Sequence, residues 1–187
     1  MSFFKNEVVF CRHGKTDWNK EKRTMGNIDI PLSKEGILQA QETAENLSNC
    51  SFDLIIASPK KRCIQTAGII AKRLNIQEII TQDNFTERNL GVLQGLTNLE
   101  AKNKYPFLFK EGKFDYNSIV PKGESVRDFI ARIKGGIEEG RPLFDSKKVL
   151  VITHHGVLTA VFSIIKNMDF NEVAQKYTFS YAEIIEI

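Results

Sequence analysis

The stretch VLVITHHG, residues 149–156, decides the fold class. Its first five residues are apolar or β-branched without alternation, which is typical of a strand that is covered on both faces. An amphipathic segment from Val157 to Ile165 follows this strand directly. A buried strand that passes straight into a helix is the repeating unit of α/β proteins, in which helices cover a parallel sheet.

Similar strand signals recur along the chain. Short apolar or β-branched runs predict strands at residues 8–11, 54–57 and 184–187, and a weaker run predicts one at 77–81. The runs at 8–11 and 54–57 are nearly continuous in apolar character, like the run at 149–153. These strands are therefore expected in the interior of the sheet.

Helix signals lie between the strand signals. Ser33 is a candidate N-cap for one helix, and Ser58 followed by Pro59 predicts the start of another. Residues 97–100 form a capping box, and a later helix is predicted over about residues 124–139. Because strands alternate with helices, we expect a three-layer α/β/α fold with a mainly parallel central sheet.

Length and composition exclude several classes of protein. A chain of 187 residues favours one domain over residues 1–187, and 26 Lys+Arg against 23 Asp+Glu leave a charge of +3, too small a surplus for a nucleic-acid protein. No apolar stretch is long enough to span a bilayer, and Glu7 comes too early for a signal peptide. The three cysteines have no CxxC spacing, so we expect no zinc site or disulfide framework and a cytoplasmic location.

All three histidines follow predicted strands. His13 comes two residues after the run that ends at Cys11, and His154 and His155 follow the run that ends at Thr153. The carboxyl ends of parallel strands meet at one edge of a sheet, where ligands bind in this class of fold. A lone histidine is more often structural than functional, but the shared position of all three favours a site.

Two arginines are expected at the same edge. Arg12 precedes His13, and Arg62 comes in the first turn of the helix that follows residues 54–57. A guanidinium is a permanent planar cation suited to bidentate contact with phosphate, and the helix N-terminus there also favours an anion. Either arginine alone could be a surface charge. Together with the histidines they predict a phosphoryl-binding site.

The residues of this edge belong to a pattern that resembles the histidine phosphatase superfamily, which includes the cofactor-dependent phosphoglycerate mutases. Six blocks follow in order and cover nearly the whole chain: RHGKTDWN at 12–19, GNIDIPLS at 26–33, SPKKRCIQTA at 58–67, TERNLGVLQG at 86–95, PKGES at 121–125 and ITHHG at 152–156. The resemblance implies a phosphoglycerate mutase-like fold.

It also implies roles for individual residues. His13 would be the nucleophile that takes the phosphoryl group, and Glu87 would protonate the leaving oxygen and then activate water. The transferring oxygens would be held by Arg12, Asn19, Arg62 and His154. A neutral imidazole is a competent nucleophile, and phosphoryl transfer depends mainly on positioning and charge neutralisation. The resemblance implies no metal and no cofactor, and a small phosphorylated compound as substrate.

Phosphatase and mutase share this phosphohistidine chemistry and differ in peripheral residues. Mutase relatives usually have a tyrosine where this chain has Leu90, and an arginine pair in a longer middle insertion. Between Gly95 and Gly123 this chain has several lysines and no arginine. We therefore expect a phosphatase, with a phosphoglycerate mutase-type transferase or a non-catalytic phosphate-binding protein as alternatives. The adjacent pair His154–His155 suggests one more alternative, a metal-dependent hydrolase. Adjacent histidines rarely bind the same ion, which argues against this alternative.

Two features stay open at this point. His155 stands where relatives commonly have a small residue, and it either borders the substrate or faces outward. Residues 96–122 could form a lid or insertion, because aromatic side chains alternate there with lysines. Packing within the fold explains the same aromatic residues equally well. The natural substrate does not follow from the sequence, because a phosphoryl pocket does not identify the leaving group.

Overall fold

A computed structural model describes residue 4 and residues 7–186 of the chain. Its strands are β1 (Val8–Arg12), β2 (Leu54–Ala57), β3 (Ile79–Thr81), β4 (Phe109–Lys110), β5 (Lys113–Phe114), β6 (Val149–Thr153) and β7 (Ile184–Glu186). Its α-helices are α1 (Asp17–Lys20), α2 (Lys34–Asn46), α3 (Lys61–Leu74), α4 (Asn98–Lys104), α5 (Val126–Phe144), α6 (His155–Lys166) and α7 (Phe170–Lys176).

Five of these strands form the central sheet in the order β3-β2-β6-β1-β7. The pairs β2–β3, β2–β6 and β1–β6 are parallel, and β7 is antiparallel to β1. The expected mainly parallel sheet is therefore confirmed. The predicted strand end at Ile187 lies outside the described residues.

The two faces of the sheet belong to different apolar clusters. Alternate residues of β1 and β6, such as Phe10 and Val151, pack with α5, α6 and α7, whereas Cys11 and Ile152 pack on the other face with α2 and α3. This division is the three-layer arrangement that the sequence predicts, and the five residues of β6 are buried throughout. A smaller third cluster holds residues 90–120 together around Leu93.

The start of α3 differs from the sequence prediction. The helix begins at Lys61, and its N-cap residue Lys60 makes no side-chain cap bond. Ser58 is therefore not the cap, because its hydroxyl is 2.8 Å from a ring nitrogen of His154. Instead Asp29 accepts a hydrogen bond from the backbone N–H of Lys61 at 2.7 Å. The caps at Ser33 and Thr97 are confirmed.

The segment from 96 to 122 contributes several of its own apolar side chains to the third cluster. Helix α4 leads into a 3₁₀ turn at Pro106–Leu108 and then into the antiparallel hairpin of β4 and β5. Leu108 and Val120 are buried in this cluster. None of the helices in the described ranges has the length and the apolar character of a membrane-spanning segment.

The loop after β1 crosses the start of α2 without room for a side chain. A Cβ on Gly36 would overlap the backbone of Lys15, and a Cβ on Gly14 would overlap the carbonyl of Gly36. The path of the loop therefore depends on two glycines that meet backbone to backbone.

We predict opposite effects for two glycine-to-alanine substitutions in helices. Gly36→Ala should lower the free energy of unfolding by about 1–3 kcal/mol, because the neighbouring backbone must shift. Gly68→Ala is the matched control: on the exposed side of α3, no atom lies within 4 Å of the position that its new Cβ would take. It should raise the free energy of unfolding by about 0.5–1 kcal/mol. Urea unfolding measures both, and a neutral Gly36→Ala would contradict the packing argument.

Candidate functional site

The two histidine loops meet because β1 and β6 run parallel and in register. Arg12 lies opposite Thr153, and the backbone N–H of His13 donates to the Thr153 carbonyl at 2.9 Å. His13 and His154 therefore leave the sheet side by side, with ring centroids 5.3 Å apart and the rings edge to face. Both side chains are buried, with 2% of His13 and 0% of His154 exposed.

The ring of His13 has a defined orientation. Its Nδ1 is 2.7 Å from the carbonyl oxygen of Gly14. A carbonyl only accepts, so Nδ1 carries the proton and donates, and the lone pair of the neutral ring lies on Nε2. The Gly14 N–H in turn donates to the Thr66 hydroxyl at 3.2 Å, which fixes the loop that holds this carbonyl.

Arg62 lies in the first turn of α3 and is fully buried. Its Nε is 3.3 Å from Nδ1 of His154, and its two terminal nitrogens donate to the carbonyls of Ile28 and Gly26 at 2.8 and 3.0 Å. The guanidinium is thus held rigidly beside the histidine pair. Its charge has no carboxylate partner within salt-bridge distance in the described part of the chain.

His154 is held on both sides of its ring. Nδ1 faces Nε of Arg62, and Nε2 is 2.8 Å from the Ser58 hydroxyl. The thiol of Cys63 lies 3.6 Å from Nε2, and burial raises the pKa of this thiol to about 12. A hydroxyl both donates and accepts, so Ser58 is compatible with either neutral tautomer of His154.

Arg12 reaches the site from the end of β1. Its Nη1 donates to the Phe179 carbonyl at 2.6 Å, and its Cζ lies 3.8 Å from the centroid of the Tyr181 ring. Its Nε is buried and has no hydrogen-bond partner among the described residues. One edge of the guanidinium is therefore tied to the backbone while Nε keeps an unused donor.

Glu87 joins the site through the loop of the second histidine. One carboxylate oxygen accepts from the N–H of Gly156 at 3.1 Å, and the other accepts from the N–H of Arg88 at 2.8 Å. A Cβ on Gly156 would overlap this carboxylate. A glycine two residues after His154 is therefore what lets the acid approach.

Asn19 is the least connected of the predicted site residues. Its side-chain oxygen accepts from the backbone N–H and the hydroxyl of Thr16, in a capping box that starts α1. This arrangement leaves the side-chain NH₂ as its available donor. Among the described residues no direct contact joins Asn19 to the histidines or arginines of the site.

Burial and positive charge keep the histidines neutral. Burial first, and then the charges of Arg62 and Arg12, hold the pKa of His13 well below its usual range. Burial and then Arg62 do the same to the pKa of His154. For His155, burial and the charge of Arg12 lower the pKa to about 4. Burial also lowers the pKa of both guanidiniums, which stay charged.

The structure also locates His155 and the aromatic residues of segment 96–122, the two features whose roles the sequence left open. His155 is half-buried at the start of α6, with its ring 5.6 Å from that of Phe179. The aromatic segment serves packing in part, because Phe114 contacts both Phe109 and Tyr116 edge to face. The same three rings, together with lysines at 102, 110 and 113, also line a groove of about 1010 Å³. Both interpretations of this segment are therefore compatible with the structure.

The structure places Arg12, Arg62 and Glu87 near the histidine pair and leaves Asn19 without a direct contact to them. Three further residues that the sequence analysis did not select as site residues support this group. Ser58 positions His154, Gly156 admits Glu87, and Tyr181 covers Arg12. Ser58 and Gly156 lie inside the motif blocks, four residues before Arg62 and two residues after His154. Tyr181 lies in no block.

No group of three or more His, Cys, Asp or Glu residues within the described ranges is arranged to hold a metal ion.

The sequence was compared with models of protein families and with known proteins, and the matches point to the same family. A sequence model of the histidine phosphatase superfamily (branch 1) matches residues 8–187. The chain is 34% identical to the uncharacterized phosphatase PhoE of Bacillus subtilis (strain 168), over 87% of this chain and 78% of that protein. It is 33% identical to a metal-independent phosphoserine phosphatase of Arabidopsis thaliana, over 83% of this chain and 67% of that protein.

A mutase relative and a solved structure complete the comparison. The chain is 31% identical to the probable phosphoglycerate mutase GpmB of Escherichia coli O1:K1 / APEC, over 85% of this chain and 74% of that protein. The structure of mycobacterial glucosyl-3-phosphoglycerate phosphatase in complex with VO3 superimposes with a TM-score of 0.81 at 25% identity. That superposition covers 96% of this chain and 90% of the mycobacterial one.

We predict that the free energy of unfolding falls as the pH falls below about 6.5. In the unfolded chain the histidines bind protons near their reference pKa of about 6.5, whereas His13, His154 and His155 stay neutral in the folded protein. The unfolded state therefore binds more protons and is favoured. Between pH 7.0 and 5.5 the loss should be about 3–4 kcal/mol, measured by urea unfolding.

His155→Gln provides the control for this prediction. The substitution removes one of the three titrating groups and should reduce the loss by about a third. A free energy of unfolding that stays constant between these two pH values would show that the histidines titrate alike in both states.

Proposed function

The chain belongs to the histidine phosphatase superfamily, branch 1, and from this premise we propose that it is a metal-independent phosphomonoester phosphatase with a phosphohistidine intermediate on His13. One observation carries the proposal: His13 is buried, its Nδ1 is held by a carbonyl so that the lone pair lies on Nε2, and the charges of Arg62 and Arg12 are close enough to help keep the ring neutral. A small phosphorylated compound is the proposed substrate. We further propose that residues 1–187 form one catalytic domain, with residues 96–122 as an insertion.

In the first step Nε2 of His13 attacks the phosphorus atom. A P–N bond forms, the bond from phosphorus to the leaving oxygen breaks, and Glu87 gives its proton to that oxygen. His13 needs no general base, because its lone pair is already available. Arg12 and Arg62 neutralise the charge on the equatorial oxygens, in a buried site where fixed donors stabilise charge more strongly than water does.

In the second step water replaces the alcohol. The Glu87 carboxylate takes a proton from water, the water oxygen attacks phosphorus, and the P–N bond breaks to return neutral His13 and phosphate. The acid of the first step is therefore the base of the second. The N–H groups of Gly156 and Arg88 hold the two carboxylate oxygens in place for both steps.

His154 and Asn19 complete the proposed set of donors. Without substrate, Nε of Arg62 donates to Nδ1 of His154. When a phosphoryl oxygen accepts from this Nε instead, His154 can adopt its other neutral tautomer and donate to the substrate from Nδ1. The Ser58 hydroxyl then donates to Nε2, so the ring stays in place. The free NH₂ of Asn19 is the donor that this residue offers to the substrate.

A mutase is the second candidate, because probable phosphoglycerate mutases are among the relatives. A mutase must retain its phosphoryl group and return it to a sugar acid. Leu90 is partly buried and packs against the third apolar cluster, where it offers no polar group to such an acid. The lack of arginine between Gly95 and Gly123 also favours hydrolysis.

We predict that His13→Ala abolishes phosphate release. Without the nucleophile, turnover of a panel of phosphomonoesters should fall by at least about 10³-fold. Wild-type turnover should be the same in EDTA as in buffer. An acid-labile phosphoryl label should appear in wild type and in the control His155→Gln, and be absent in His13→Ala. Activity that EDTA abolishes, or that survives in His13→Ala, would refute the mechanism.

A second substitution tests the acid–base residue. Glu87→Gln should lower kcat by about 10²–10⁴-fold for an alkyl phosphate, because the leaving oxygen is no longer protonated. With p-nitrophenyl phosphate, whose leaving group needs no acid, the first step should survive and labelled His13 should accumulate. Rapid-quench labelling measures this accumulation. If the variant does not accumulate the label and hydrolyses both substrates at the wild-type rate, Glu87 has no such role.

A further inference from the structure

The C-terminal turn before β7 is fixed to the end of β1. The N–H of Ala182 donates to the carbonyl of Arg12 at 3.0 Å, and the Thr43 hydroxyl donates to the carbonyl of Ala182 at 2.7 Å. The N–H of Arg12 also donates to the Glu183 carbonyl at 3.3 Å. Both sides of the turn are thus tied to the strand that carries Arg12.

This turn encloses the Arg12 guanidinium. The Phe179 carbonyl accepts from Nη1, and the ring of Tyr181 lies under the guanidinium with its centroid 3.8 Å from Cζ. At this distance the negative face of the ring attracts the cation. The carbonyl and the ring therefore both restrict rotation of the guanidinium, and its buried Nε has no hydrogen-bond partner among the described residues.

Tyr181 also borders the nucleophile. The centroids of the His13 and Tyr181 rings are 6.3 Å apart. An Arg12 side chain without the ring beneath it would have room to rotate about its last bonds. Its buried Nε, which has no partner among the described residues, would then lose its fixed orientation beside His13.

We propose that Tyr181 is a positioning residue for phosphoryl transfer, which acts through Arg12 by holding the guanidinium face and directing Nε to the transferring oxygens. The proposal rests on the function proposed above. The ring face lies against Cζ, and the Tyr181 hydroxyl is also close enough to Arg12 to oppose the lowering of the guanidinium's pKa by burial. The proposal assigns the positioning to the ring, and Tyr181→Phe, which lacks only the hydroxyl, separates the two contributions. The alternative is that Tyr181 only fills space at the end of the sheet.

The test compares Tyr181→Leu and Tyr181→Met, which remove the ring, with Tyr181→Phe, which keeps it. The ring-deleted variants should lower kcat for p-nitrophenyl phosphate about tenfold and change KM by less than about twofold, because the oriented donor matters most in the transition state. Binding of orthovanadate, which mimics the five-coordinate phosphorus, should weaken by the same factor. Tyr181→Phe should restore both values.

Tyr177→Leu is the matched control. It removes a ring of the same size from the same part of the chain, where the neighbouring cations are Lys166 and Lys176. We expect kcat and orthovanadate affinity to stay within about twofold of wild type, whatever the change in Tm. A control that loses as much as Tyr181→Leu would show a general loss of structure and overturn the assignment.

A double-mutant cycle tests whether the effect passes through Arg12. In an Arg12→Ala background, Tyr181→Leu should change orthovanadate affinity by less than about twofold, since there is no guanidinium left to position. A full tenfold further loss there would overturn the proposal. So would wild-type kcat and orthovanadate affinity in Tyr181→Leu, or a Tyr181→Phe variant as impaired as Tyr181→Leu.

Orthovanadate binding also separates this proposal from the proposed function. If the wild type hydrolyses no phosphomonoester, the phosphatase proposal fails. Tighter orthovanadate binding by wild type and Tyr181→Phe than by Tyr181→Leu would still support the positioning of Arg12. If turnover is normal and depends on His13, but orthovanadate affinity is the same in all Tyr181 variants, only the positioning proposal fails.

Discussion

The parallel pairing of β1 with β6 is the constraint on which the rest of the site depends. With Arg12 opposite Thr153, the chain leaves both strands at the same level, and the two histidine rings meet edge to face. A shift of one residue would move each strand's side chains to the opposite face of the sheet. Both faces are packed, so the buried strands fix the register and the register fixes the site. The elements around the pair then add one group each: α3 supplies Arg62, the loop after β3 supplies Glu87, and the turn before β7 covers Arg12.

The sequence predicts the strands and the position of the histidines, because both depend on short, local stretches of residues. The runs at 54–57 and 149–153 become strands with these bounds, because short, continuous and largely β-branched apolar runs are typical of strands that are covered on both faces. Placement of the histidines at one edge follows from parallel topology alone. The acid at Glu87 is different: spacing gives no reason for it to reach the loop after His154, where it accepts from the N–H of Gly156, and only the resemblance of its block to a family pattern singled it out. The contact itself depends on Gly156, whose missing side chain is a packing fact.

What the sequence does not predict are the contacts between distant segments. Ser58 before Pro59 is locally a good helix cap, yet its hydroxyl lies against His154, and Asp29 caps the helix from another loop. Local propensity is outweighed here because a buried imidazole nitrogen requires a partner more than an exposed helix end does. Tyr181 is separated from Arg12 by most of the chain, and a single tyrosine before a short strand gives no local signal. Such residues are found only when the tertiary structure brings them together.

The electrostatics of the site explain why a phosphoryl group suits it. Arg12 and Arg62 are held by backbone carbonyls, which fix their geometry but supply only partial negative charge. No carboxylate lies within salt-bridge distance of either guanidinium in the described part of the chain, and burial opposes both charges. Both histidines beside them are kept neutral by the same surroundings. The site thus holds two guanidiniums on which the Glu87 carboxylate acts only through space, and its donors are already oriented. A dianionic phosphoryl group balances these two charges better than a single carboxylate does, and it would do so next to Nε2 of His13, whose lone pair is available.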